Sequence, residues 1–177
     1  TLDSIRGLAM IHDITEIADM TEALSKLFRS MIANEGRLIP LKEEFKSVES
    51  YMTIQNFRFN NRFLFENRII DEAILSCLVP NLILQPIVEN AIIHGMEKKI
   101  GPGSIIISAY MTDKRLVLLV EDDGLGIEEG PLSKLNDLIS QKHIPAVTQA
   151  RNRSIGLTNI SHRIRLQFGD AFGLHIM

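Results

Sequence analysis

The chain has 177 residues, of which 45% are hydrophobic and 23% charged, a globular balance with length enough for one ordinary domain and an appendage. A net charge of -3 at pH 7 gives no electrostatic case for nucleic-acid binding. Cys77 is the only cysteine, which excludes an intramolecular disulfide and fits a reducing compartment, and the longest uncharged run, residues 73–88, is broken by Pro80, Asn81, Gln85 and Pro86, which excludes a membrane helix.

Residues 2–33 read as one long amphipathic helix, because Ile5, Leu8, Ile11, Ile14, Ile17, Leu24, Leu27, Phe28 and Met31 recur mostly at helical spacings. Asn34-Glu35-Gly36 is a stop signal, and Pro40 leads into a second helix from Leu41 to about Phe59, with Phe45, Val48, Met52 and Phe59 on its apolar side. Two such helices with a short break predict an antiparallel hairpin, placed here at residues 1–60, that buries its apolar surface on the following domain or on a second copy. From Arg62 the texture changes. A strand is predicted at residues 63–70, and a helix at 82–96 with Pro86 in its first turn, where a missing N–H costs least. A hairpin of strands at 104–111 and 116–121 turns across Thr112-Asp113-Lys114. Residues 128–153 are polar and punctuated by Gly130, Pro131 and Pro145; only Leu135 to Ile139 suggests a helical turn or two, so this stretch reads as a mobile loop of a length that is often functional. A helix at 154–168 and the beginning of a strand at 172–177 complete an α+β domain over 61–177, a mixed sheet with helices on one face. Thr1 at one end and the apolar Leu174-His175-Ile176-Met177 at the other read as cuts in a longer protein, with the last strand truncated.

Three segments carry candidate chemistry. In Leu84-Gln85-Pro86-Ile87-Val88-Glu89-Asn90-Ala91-Ile92-Ile93-His94-Gly95, Asn90 and His94 are four apart and share a helix face. Asn90 offers a neutral carbonyl oxygen suited to Mg²⁺ that already carries phosphate oxygens, although by itself it is equally a polar residue on an exposed stripe. In Val120-Glu121-Asp122-Asp123-Gly124-Leu125-Gly126-Ile127, the glycines allow close backbone approach and a carboxylate can accept from an exocyclic amine; taken alone, this is an acidic turn. Arg153-Ser154-Ile155-Gly156-Leu157-Thr158-Asn159-Ile160 opens a helix after the polar stretch, with Ser154 as N-cap and free N–H groups for an anion; alone, it is an ordinary capped helix.

In this order the three resemble the N, G1 and G2 boxes of the GHKL (Bergerat-type) ATP-binding α/β sandwich. The run "LQPIVENAIIHG", with "LKEEFKSVESYMTIQNFRF" before it and "IGLTNISHRIRLQFG" after it, resembles the LytS/YesM-like sensor histidine kinases over essentially the whole chain. The resemblance implies an ATP- and Mg²⁺-binding catalytic region. Asn90 matches the Mg²⁺-binding asparagine and His94 lies where the family's helix faces the nucleotide. Asp122 matches the aspartate that recognises the adenine amine, Gly124 and Gly126 the glycines that border the pocket and hinge the lid, with Ile127 closing that box. Gly156 and Leu157 match the glycine-rich box near the phosphates, and Ser154 beside them is expected in the same ATP-binding set. Residues 128–153 correspond to the ATP lid, from which Lys134, Lys142, Arg151 and Arg153 are all within the range of choices for phosphate. Three positions depart from the pattern: Asp123 stands where asparagine is usual, Ser154 where glycine is usual, and Pro86 where the hydrolysing branches place a glutamate base. Proline cannot act as a base, which argues against efficient ATP hydrolysis.

The resemblance also implies a phosphoacceptor histidine in a motif like Pro-His-Phe-Leu-Tyr-Asn followed by a segment like Thr1-Leu2-Asp3-Ser4-Ile5. His12, His94, His143, His162 and His175 do not sit in that motif, so the acceptor is expected upstream of Thr1 and the chain is expected to bind ATP without phosphorylating itself. Implied partners are a response regulator, whose aspartate receives the phosphoryl group, and a second copy joined through the helical hairpin. The parent is implied to be a membrane sensor with this part in the cytoplasm. Two other readings stand beside this one: another GHKL protein, either a protein-serine kinase or an ATPase clamp, and a degenerate interaction module that binds no nucleotide.

Overall fold

A computed structural model describes residues 1–34, 36–141 and 153–177, with the side chains of 153–155 outside the description. The chain forms two compact units, Thr1–Gly124 and Leu125–Met177.

The first unit opens with helices α1 (Leu2–Ile11) and α2 (Thr15–Ala33), not with one continuous helix. The break has a local cause. Asp13 takes φ 55°, the Ile14 N–H reaches back to the Ala9 carbonyl at 2.8 Å, and the Asp13 N–H reaches Met10 at 3.2 Å. That pair of bonds is a Schellman C-cap, which ends a helix in the left-handed region that aspartate tolerates better than most residues. Helix α1 then packs on α2, and α2 on α3 (Leu41–Arg58), the second predicted helix. A strand the sequence did not announce, β1 (Leu38–Pro40), pairs antiparallel with β3 (Leu78–Pro80).

Helix α3 ends in a second Schellman turn, with Asn60 and Asn61 at φ 54° and 55° and the Asn61 N–H on the Asn56 carbonyl at 2.7 Å. The Asn56 carboxamide then grips both backbone groups of Phe63 at 2.9 Å, which starts β2 (Phe63–Ile69) beside α3. A short 3₁₀ turn, Glu72–Ser76, leads to β3 and on to α4 (Leu84–Asn90), which widens into a π-turn over Ala91–Met96. Strands β4 (Gly103–Met111) and β5 (Leu116–Asp122) follow as the predicted hairpin. The larger sheet has order β2-β4-β5, parallel between β2 and β4 and antiparallel between β4 and β5, so the expected α+β class and mixed sheet are present. On β4 the buried positions Gly103, Ile105, Ile107 and Ala109 alternate, as they must when one face of a strand is packed. The core of the unit includes Leu41, Val48, Phe63, Leu84, Val88, Ile92 and Met96.

The second unit contains α5 (Glu129–Ser140) and α6 (Arg153–Phe168). The stretch expected to be a loop therefore begins with a three-turn helix. Pro131 sits in its first turn, where no N–H is needed, and Leu132, Leu135, Leu138 and Ile139 follow at helical spacing. Residues 142–152 lie outside the described residues. Residues 172–177 form no strand: the Ile176 backbone is held by Asn136, at 2.8 Å from its carbonyl and 3.0 Å from its N–H, and the Leu174 N–H bonds Ser161 Oγ at 3.3 Å. Side-chain amide and hydroxyl partners thus serve this backbone in place of a neighbouring strand. No helix among the described residues is long and apolar enough to cross a membrane.

Candidate functional site

The predicted asparagine helix is α4 with its π-turn. Leu84, Gln85 and Pro86 make the first turn, so Pro86 falls among the positions whose N–H groups lack intrahelical partners. The start of α4 is held from another element. The Glu44 carboxylate on α3 is fully buried and accepts from the N–H groups of Leu82 at 2.6 Å, Ile83 at 2.8 Å and Leu84 at 2.9 Å. An anion at a helix N-terminus is favourably placed, and here it also holds Leu82 at φ 59°, a strained value for a bulky side chain. The sequence carries one signal of this role: Glu44 is a charge inside the apolar stripe of Leu41, Phe45 and Val48.

Asn90 closes the regular part of α4, half-buried, and among the described residues nothing hydrogen-bonds its carboxamide. His94 is exposed in the π-turn, within one turn of Asn90. The widening is marked by the Glu97 N–H, which bonds the Ile92 carbonyl five residues back at 2.8 Å. Such π-turns occur often at functional sites.

The turn brings Gly95 against the end of β5. A Cβ added at Gly95 would lie 2.7 Å from Asp122 Oδ1, and one added at Gly124 would lie 2.6 Å from the Gly95 Cα and 2.7 Å from its carbonyl carbon. Gly124 therefore demands glycine because its Cβ would meet the backbone of Gly95, and a side chain at Gly95 would displace the Asp122 carboxylate. Asp122 is fixed over this floor: Oδ1 accepts the Gly124 N–H at 2.9 Å, while Oδ2 has no partner among the described residues. Asp122 itself is exposed. Asp122 and Gly124, both expected from the sequence, thus share a corner with Gly95, whose role shows only in the close approach of the two segments.

Asp123, the departure from the family pattern, has a different task. Its Oδ1 accepts the Ser104 N–H at 2.8 Å and its Oδ2 pairs with Lys99 Nζ at 2.8 Å. The Lys99 hydrogen bond, then the Ser104 N–H, holds its carboxyl below the ordinary aspartate range. An asparagine would keep the Ser104 bond and lose the ion pair.

The remaining candidates belong to the second unit. Gly126 takes φ 72°, a value suited to glycine, and Ile127 is exposed. Helix α6 starts at Arg153, so Ser154 is already inside it and not its N-cap. Gly156 is exposed with open space, among the described residues, where its Cβ would go. Leu157 is buried in the second unit, as are Ile139 and Ile160. Of the lid cations, Lys134 is exposed on α5. Lys142 and Arg151 lie outside the described residues, as does the Arg153 side chain. No group of three or more His, Cys, Asp or Glu side chains among the described residues is arranged to hold a metal. A Mg²⁺ held mainly by phosphate oxygens, water and one amide oxygen needs no such cluster, and the Asn90 carboxamide fits that requirement.

Comparison with known proteins places these features in context. Residues 1–63 match the family model described as histidine kinase. The sensor histidine kinase YesM of Bacillus subtilis (strain 168) is 37% identical over 176 residues, covering 99% of this chain and 28% of that protein. The sensor histidine kinase YpdA of Escherichia coli (strain K12) is 33% identical over 154 residues, 86% of this chain and 25% of that one. The sensor protein LytS of Bacillus anthracis is 30% identical over 165 residues, 93% of this chain and 27% of that one. The chain thus spans about a quarter of the length of these relatives. A solved histidine kinase domain from the blue-light activated histidine kinase of Erythrobacter litoralis EL346 aligns over 94% of this chain and 81% of that chain, with a TM-score of 0.44 and 19% identity, too loose a likeness to give any residue a role.

Proposed function

The chain belongs to the sensor histidine kinase family, and from that premise we propose that it is the ATP-binding catalytic region of a two-component sensor kinase. The observation that carries this reading is the corner of Gly95, Asp122 and Gly124. A carboxylate tied by one oxygen, with no partner on the other among the described residues, beside two glycines that present no side chain, suits a flat heterocycle that donates from an exocyclic amine. In this reading Asp122 Oδ2 accepts the adenine amine. The Asn90 carboxamide, without a partner among the described residues, would hold Mg²⁺ through its oxygen, and the ion would supply charge neutralisation at the phosphates. His94 lines the same helix, and Gly126, Ile127, Ser154, Gly156 and Leu157 keep the nucleotide roles that the resemblance implies for them.

The reaction is attack of a histidine imidazole on the γ-phosphate, with ADP leaving. The phosphoryl group then passes to a response-regulator aspartate. Positioning supplies most of the acceleration in such transfers, because the protein forms few bonds to the reacting atoms. Pro86 has no base to offer water, so transfer to an acceptor is favoured over hydrolysis. The acceptor is a histidine outside the five in this chain. A second copy joins through α1, α2 and the break between them, which expose Leu8, Ile11, Ile14, Phe28 and Ile32. The region works in the cytoplasm.

The test is γ-labelled ATP with Mg²⁺, offered to this chain together with the acceptor-bearing hairpin of one of the longer relatives. Acid-labile label on that hairpin, lost with Asp122→Ala, is expected. Acid-stable label on serine, or rapid phosphate release without transfer, would place the chain instead with protein-serine kinases or ATPase clamps.

A further inference from the structure

Arg62 stands outside every motif described so far, in the short link between α3 and β2. Its guanidinium is spent on backbone carbonyls. Nη2 donates to Met96 O at 2.6 Å and also to Lys99 O, Nε donates to Gly101 O at 2.7 Å, and Nη1 donates to Glu97 O at 3.3 Å. These carbonyls lie at the end of the π-turn and in the turn after it, where regular helical partners run out; the Met96 carbonyl also accepts the Lys99 N–H at 3.1 Å. A cation there also faces the negative end of the helix dipole. The planar fork of arginine reaches carbonyls in several directions at once, which an ammonium on a single point cannot do.

Two short routes connect this clamp to Asp122. Met96, whose carbonyl Arg62 holds, is fully buried and is the neighbour of Gly95, the residue against which Asp122 Oδ1 rests. Lys99, whose carbonyl Arg62 also holds, sends its ammonium to Asp123 Oδ2 at 2.8 Å, one residue from Asp122. The base of the clamp is fixed as well. The Arg62 carbonyl accepts the Gly103 N–H at 3.1 Å, and its guanidinium carbon lies 5.4 Å from the ring centroid of Phe63, which is buried.

We infer that Arg62 is a positioning residue for nucleotide recognition, holding the turn of residues 95–101 so that Gly95 and Asp122 meet at the spacing an adenine requires. This inference rests on the nucleotide-binding reading above. A residue that only stabilised the fold would, when replaced, lower melting temperature and leave base selectivity alone. Arg62 acts through the place where the base is read, so its loss changes the preference for ATP over GTP, whose six-position carries an acceptor where ATP carries a donor.

The experiment measures ATP and GTP affinity of the 177-residue chain with Mg²⁺ for the native protein, Arg62→Gln, Arg62→Lys and Asp122→Ala. Arg62→Gln is expected to weaken ATP by about tenfold, the scale of lost charge-assisted hydrogen bonds, and to bring the ATP/GTP ratio towards that of Asp122→Ala. Arg62→Lys is expected to recover part of both. Folded variants with the native ATP/GTP ratio would overturn the inference while leaving nucleotide binding intact. Should Arg62→Gln not fold, the ratio in Arg62→Lys decides: lowered, it supports the inference, and native, it overturns it. A native protein that binds neither nucleotide would remove the underlying reading and this inference with it, and that outcome is visible before any variant is made.

Discussion

Gly95 and Gly124 approach so closely that the site depends on two missing side chains as much as on any that are present. Adding one methyl at Gly124 forces its Cβ into the backbone of Gly95, and backbone cannot rotate away as a flexible side chain would. Gly124→Ala is therefore expected to lower the melting temperature and to weaken ATP binding by at least about tenfold, because relief of overpacking of this kind costs about 1–3 kcal/mol. Gly156→Ala is the contrast. Nothing among the described residues meets a Cβ there, and alanine suits a helix better than glycine by about 1 kcal/mol, so the fold should be unharmed or strengthened. Melts and titrations on the two variants check both expectations, and a Gly124→Ala protein with native affinity would show that the corner is not where the nucleotide is read. At this scale the candidate residues were singled out by the order of three segments and their likeness to a known family, since each segment alone also reads as an ordinary turn or helix start. The clamp of Arg62 was not, since all four of its partners are backbone carbonyls and leave no trace in residue identity.

Among the elements, periods were legible in the residues and turns were not. Ile11, Ile14 and Ile17 keep helical spacing straight across the gap between α1 and α2, so periodicity alone reports one helix where there are two. The left-handed Asp13 that makes the break looks like any polar residue. Glycine should serve better at that position: Asp13→Gly is expected to raise stability by about 0.5–1 kcal/mol, seen as a higher denaturant midpoint with an unchanged slope. A fall in the midpoint would mean that the chain does not turn there. Helix α5 was hidden by Gly130 and Pro131, which read as loop residues although both fit within a first helical turn. The alternation of Phe172, Leu174 and Ile176 suggested a strand, but Asn136 and Ser161 take up that backbone first. The mixed sheet and the helix bearing Asn90 were legible because their patterns are long and end in strong punctuation.

For the molecule as a whole, α3 links the helical segment to the site. Glu44 near its start holds the beginning of α4, and Arg62 just beyond its end holds the carbonyls after the π-turn. The asparagine-bearing helix is thus gripped at both ends by residues that α3 carries or immediately precedes, with charges of the sign each helix end favours. Tyr51 sits between these grips on α3, and its burial, with the Glu89 carboxylate of α4 as a second cause, raises its phenol above the ordinary range. The measurement that tests the central claim most directly is calorimetric titration of ATP and ADP into this chain, with and without Mg²⁺, for the native protein, Asp122→Ala and Asn90→Ala. The account predicts micromolar to sub-millimolar binding that Asp122→Ala abolishes, and an Mg²⁺-dependent gain for ATP that Asn90→Ala removes. A folded native protein that takes up neither nucleotide, or whose binding is indifferent to Asp122, would contradict it.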